Sequence, residues 1–144
     1  MLEIREMQAE DLERVAEIER AVFSVPWTAK GFADSMKQDC TLFLAAVRDG
    51  KIAGYCGMFQ SFEEADITNV AVEEESRGQG IAEAMLRELM KRGGERGISA
   101  YTLEVRLGNI PARRLYEKLG FEAAGIRKNF YEKPVEDAVI MWKR

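Results

Sequence analysis

Midway along the chain, the apolar strand residues Val70-Ala71-Val72 lead through Glu73-Glu74-Glu75-Ser76 into Arg77-Gly78-Gln79-Gly80, and an amphipathic helix starts at Ile81-Ala82. This strand–glycine turn–helix junction constrains the fold more than any other segment. A strand that feeds a helix through a tight turn is a unit of α/β architecture, in which helices cover a sheet. Ile81, Met85 and Leu89 fall four residues apart, with Ala82 and Leu86 beside them, so the helix has one face to bury.

The periodicity on either side alternates in the same way. Residues 2–7 read as a strand. Residues 9–23 read as a helix with Leu12, Val15, Ala16, Val22 and Phe23 at helical spacing. Pro26-Trp27 breaks it, and Thr28 suits the N-cap of a second short helix through Phe32 and Met36. The strands 41–47 and 52–60 flank an Asp49-Gly50 hairpin turn. An acidic loop at 61–65 and a strand at 66–72 follow. The helix over 81–92 is expected to stop at Gly93-Gly94 and Gly97. A strand over 101–105 precedes a helix opened by Asn109, with Pro111 in its first turn and Gly120 past its end. Strands at 121–126 and 138–142 close the chain. The order βααβββαβαββ predicts an α/β protein with a mixed central sheet flanked by helices. With 144 residues and neither repeat nor linker, one domain over 1–144 is expected.

Composition narrows the chemistry. There is no histidine, which excludes Ser-His-Asp triads, Cys-His pairs and most zinc sites, so no metal is expected. Acid–base work falls to Glu, Asp, Tyr, Lys or Cys. A net charge of −4 argues against a nucleic-acid partner. Cys40 and Cys56 form no CxxC pair and sit in apolar runs, as buried thiols of a reducing cytosol would. No apolar run nears the ~20 residues that span a bilayer, and the N-terminus is no signal peptide, so a cytoplasmic protein without a membrane partner is expected.

The first turn of a helix leaves backbone N–H groups without partners, at the positive end of its dipole. Such a turn holds phosphate, and Gly78 and Gly80 let an anion approach the backbone. Arg77 adds a planar cation. The segment matches neither a P-loop nor GxGxxG, and a turn that needs glycine for its geometry alone is the other reading.

Arg77-x-x-Gly80-x-Ala82 resembles the pyrophosphate-binding signature of the GCN5-related N-acetyltransferases, or GNAT family. Leu103-Glu104-Val105-Arg106-x-x-Asn109-x-x-Ala112-x-x-Leu115-Tyr116-Glu117-Lys118-Leu119-Gly120-Phe121 resembles another core motif of that family. The likeness spans nearly the whole chain. Phe23-x-x-Pro26-Trp27-Thr28, Leu103-Glu104-Val105-Arg106 and Arg127-x-x-Phe130-Tyr131 with Glu136-Asp137-Ala138 are similar to the ribosomal-protein alanine N-acetyltransferases within it. The resemblance implies an acyl-CoA N-acyltransferase fold, acetyl-CoA as cosubstrate, and the N-terminal alanine of ribosomal protein S18 as acceptor. A small-molecule amine or a lysine side chain is the alternative acceptor. One departure is Gly108, where a Ser is usual; glycine would loosen the loop at the mouth of the site.

The same resemblance implies Glu104 as general base and Tyr116 as general acid. It implies cofactor contacts from Val70, Ala71 and Val72, from Arg77, Gly78, Gln79, Gly80, Ile81 and Ala82, and from Asn109 and Lys118. Trp27, Phe130 and Tyr131 are candidates for a groove that takes a peptide end. Bland readings stand beside these. Glu104 would suit an exposed position or a pairing with Arg106 or Lys118, and Tyr116 a core aromatic. Asn109 would serve as a helix cap, and the three aromatics as core. Glu73-Glu74-Glu75 reads as a solvated loop. With no histidine to activate a thiol, neither cysteine suits an acyl carrier, and direct transfer in a ternary complex is expected.

Overall fold

The computed structural model describes residues 1–144. Its strands are β1 (Leu2–Glu6), β2 (Thr41–Arg48), β3 (Lys51–Ser61), β4 (Glu64–Val72), β5 (Ala100–Arg106), β6 (Glu122–Glu132) and β7 (Val135–Lys143). The helices are α1 (Leu12–Val22), α2 (Ala29–Met36), α3 (Ile81–Glu95) and α4 (Ile110–Lys118). All strands join one 7-stranded sheet in the order β1-β2-β3-β4-β5-β7-β6. Only β4 and β5 run parallel.

Local chemistry accounts for several element ends. The Thr28 hydroxyl accepts from the Gly31 N–H at 3.0 Å and caps α2. Asp49 and Gly50 both take positive φ, 53° and 81°, as a tight hairpin between twisted strands demands. The acidic segment read as a loop is instead a tight turn at Phe62-Glu63, with β4 already begun at Glu64. Gly93 and Gly94 do not stop α3, which continues to Glu95. A side chain at Gly93 would overlap Tyr101, whose hydroxyl donates to the Met90 carbonyl at 2.9 Å. Packing selects that glycine, and Gly97 at φ 83° turns the chain. The last two strands are longer than their sequence pattern predicts.

One face of the sheet carries α3 and α4 over the larger apolar cluster, which includes Met85, Leu86, Leu89, Leu103, Tyr116 and Phe121. The other carries α1 and α2 over Val15, Ile18, Phe32, Phe43 and Tyr55. A bulge in β4 decides which of its side chains reach each face. Gly57 pairs with Asn69 and Met58 with Ile67, so Thr68 is passed over. Such an extra residue reverses the alternation of side chains. Ala65 and Ile67 enter the larger cluster, and Val70 and Val72 pack against it. Ala71 therefore turns to the α1–α2 face, as does Asn69.

Candidate active site

Parallel pairing of β4 with β5 covers only Glu64, Ala65 and Asp66 against Ala100, Tyr101 and Thr102. Beyond these pairs the strands part. The rest of β4 keeps β3 on one side and presents an unpaired edge on the other. Backbone groups on that edge have no ladder partner. A cleft of about 870 Å³ opens there, lined by β4, the 77–83 turn, β5, α4 and the α1–α2 connection.

The turn at the start of α3 forms one end of the cleft. Gly78 and Gly80 both sit at φ 79°, and a Cβ on either would meet nothing within 4 Å. Glycine is required there for backbone conformation and not for packing. The N–H groups from Gly78 to Glu83 donate to no protein acceptor; the first of α3 to do so is Ala84, bonded to the Gly80 carbonyl at 3.0 Å. Arg77 folds back, its Nε donating to the Val72 carbonyl at 3.1 Å, and so braces the turn against β4. Glu83 in the first helical turn accepts from Lys118 Nζ at 2.8 Å.

Thirteen of the residues singled out by sequence line this cleft: Val70, Ala71, Val72, Arg77, Gly78, Gly80, Ile81, Ala82, Glu104, Asn109, Tyr116, Trp27 and Tyr131. Gln79, Lys118 and Phe130 do not. Lys118 reaches the cleft only through Glu83, and Phe130 stands edge-on to the Tyr131 ring at 5.0 Å.

Leu103 and Val105 point into the larger cluster, so Glu104 between them projects from the α1–α2 face. It pairs with neither Arg106 nor Lys118. Its Oε2 lies 3.2 Å from Arg127 Nε, an arginine more than half exposed. Tyr116 on α4 is buried with its ring edge-on to Phe121. Burial pushes its phenol well above the ordinary range, so it stays protonated. Tyr131 is pushed up to about 12, by burial first and then by the Glu104 charge. Asn109 caps α4, its side chain accepting from the Ala112 N–H at 3.3 Å.

Several functional positions escaped the sequence reading. Glu19 is buried on α1 and lines the cleft. Its two oxygens accept from the Tyr55 hydroxyl at 2.5 Å and the Trp27 N–H at 3.0 Å, which fixes the α1–α2 connection. The signal was present, since position 19 falls on the stripe of 12, 15, 16, 22 and 23. Glu136 on β7 accepts from Arg106 at 3.1 Å and from the Gly108 N–H at 2.7 Å. Far from loosening the loop, Gly108 is tied to the β6–β7 hairpin. Arg106 also lies 4.3 Å over the Tyr131 ring and so sets that phenol at the rim. Nor is Glu73 a solvated loop residue, because it pairs with Arg14 and accepts from the Ser76 hydroxyl at 2.6 Å. Cys56 is buried as expected and pushed up to about 12 by burial, whereas Cys40 is only half-buried.

Known proteins are similar to this chain in sequence and fold. The profile of the Acetyltransferase (GNAT) family matches residues 12–121. A Bacillus subtilis (strain 168) protein is 40% identical over 140 residues, covering 96% of this chain and 93% of its own length. The [ribosomal protein bS18]-alanine N-acetyltransferase of Escherichia coli (strain K12) is 34% identical over 140 residues, covering 96% and 94%. The crystal structure of the ribosomal-protein-S18-alanine N-acetyltransferase from Escherichia coli superposes with a TM-score of 0.90 at 34% identity, covering 99% of this chain and 93% of that one. The chain belongs to the GNAT acetyltransferase family, and its mixed sheet with helices on both faces is the α/β fold of that family.

Proposed function

We propose that this chain is an acetyl-CoA-dependent acetyltransferase acting on the N-terminal alanine of ribosomal protein S18. What carries the reading is a carboxylate, Glu104, and a protonated phenol, Tyr116, on one cleft beside the open edge of β4. The relatives named for that reaction match along nearly the whole chain.

Acetyl-CoA supplies the acyl group as a thioester. The unpartnered N–H groups from Gly78 to Glu83 receive the diphosphate, which fits because nothing stands over Gly78 or Gly80. Gln79 adds its main-chain N–H to that run, Asn109 faces it from the start of α4, and Lys118 holds Glu83 from outside the cleft. The edge of Val70, Ala71 and Val72 pairs with the pantetheine amides, and a β4 N–H steadies negative charge on the carbonyl oxygen.

An α-amine has a reference pKa near 7.7–8.0, against ~10.4 for a lysine, so a modest base serves an N-terminus. Glu104 accepts the amine proton through a water. The nitrogen bonds to the acyl carbon as the C–S bond breaks, and Tyr116 gives its proton to the sulfur. Burial keeps the Tyr116 phenol protonated, so the proton is in place for the thiolate as the C–S bond breaks. Trp27, Tyr131 and the neighbouring Phe130 border the acceptor's entry. Neither Cys40 nor Cys56 lines the cleft to serve as an acyl carrier, so the acyl group passes directly between two substrates bound together.

Incubating the chain with acetyl-CoA and a peptide copying the S18 start tests this. Thiol release with a one-acetyl mass gain at the N-terminus is expected. No release above background, or preference for small amines or lysine side chains, would overturn it.

A further inference from the structure

Asn69 sits just past the β4 bulge, faces the α1–α2 side as Glu104 does, and lines the cleft. The residue is 5% exposed, and its Oδ1 is the one buried side-chain polar atom of the chain without a hydrogen-bond partner. Native proteins pair nearly all such atoms, because leaving one unpaired costs stability. Asparagine is also a poor strand former, and its neighbour on the same face of β4, Ala71, is apolar.

No donor of the chain bonds it. Gly57 is its partner on β3, and a side chain there would overlap the Phe43 ring, which lies over that position. The Trp27 ring packs on Phe43 with centroids 6.2 Å apart. Phe43 thus covers the β3 side of Asn69, and the open side is the cleft that Asn69 lines.

We propose that Asn69 Oδ1 accepts an N–H of the acceptor's α-amine and orients it for attack; this rests on the proposed function, in which the acceptor is a peptide N-terminus. An α-ammonium carries three N–H groups. Once Glu104 has taken one proton, an N–H remains on Asn69 Oδ1 while the lone pair points at the acyl carbon. Asn69 binds substrate and takes no proton itself.

The test compares Asn69→Leu, Asn69→Ala and Asn69→Asp with the unsubstituted chain, using the S18 N-terminal peptide and acetyl-CoA. Leu and Ala should lower kcat/KM for the peptide about 10–100-fold, chiefly through KM, with acetyl-CoA affinity within about twofold. Asp restores an acceptor but favours the ammonium form, so the acid limb of its kcat/KM profile should move about one unit to higher pH; that of Ala should not move. Retained peptide kcat/KM in Leu and Ala, a matching loss of acetyl-CoA affinity, or an unmoved limb in Asp would overturn the inference. Where Leu fails to fold, Ala and Asp decide between the same outcomes. Unsubstituted chain that turns over the peptide while the variants match it refutes this role alone. Unsubstituted chain that acetylates no N-terminal peptide refutes the functional reading and this role together.

Discussion

The two walls of the cleft are built from different materials. The β4–α3 wall presents main chain: a strand edge and a run of free N–H groups, with glycine at φ 79° on two positions. The opposite wall presents side chains brought together from distant segments, Trp27, Glu104 and Tyr131, with Arg106 and Glu136 supporting Tyr131 from behind. A main-chain wall reads any ligand with the right spacing of acceptors and is indifferent to most substitutions. A side-chain wall discriminates, and each residue in it depends on its supports.

The largest expected effect lies where the walls meet. Tyr116→Phe should lower kcat by about 10²–10⁴, with both substrate affinities unchanged, in steady-state and binding assays. An unchanged kcat would leave the phenol as packing. Gly80→Ala should weaken acetyl-CoA binding about tenfold by calorimetry, since a Cβ in the left-handed region costs ~1–2 kcal/mol. Peptide affinity should stay put, and an equal loss there would break the division of labour. Glu136→Ala should do the converse. Arg106 then loses its carboxylate partner and the Gly108 amide its acceptor, and peptide KM should rise about threefold to tenfold without affecting acetyl-CoA. The smallest effect is on stability. Glu136 is held below the usual carboxylate range by the Gly108 N–H and then Arg106, and Glu83 by Lys118 and then Arg87. A depressed folded value means stabilisation present above the unfolded pKa, about 4.3, and lost as pH falls through the folded one. Denaturation of Glu136→Gln and Glu83→Gln should therefore differ from the unsubstituted chain at pH 7 and converge with it in strong acid.

Much of the main-chain wall was legible, because a glycine turn between strand and helix leaves a local signature at residues 77–82. The element order was legible too, from periodicity alone. What failed did so where one residue type serves two purposes. Gly93 resembles a helix stop yet exists to admit the Tyr101 ring. The charges at 61–65 imitate a loop around a two-residue turn. Strand β6 is exposed along nearly its whole length, so no alternation marks its extent to Glu132. The side-chain wall was harder. Trp27, Glu104 and Tyr131 were found through resemblance, while Glu136 holds Arg106 and Gly108 through contacts that no spacing along the chain encodes, and Asn69 is marked only by an amide oxygen left without a partner.

The gap between β4 and β5 is, in effect, a place kept for a strand that the polypeptide does not supply. On the proposed reading a diffusing metabolite completes the sheet. Amide hydrogens from Val70 to Val72 would then exchange more slowly when it is bound, and the melting temperature would climb with its concentration by mass action. The fold would thus register how well the cell is stocked with activated acetate before any peptide arrives.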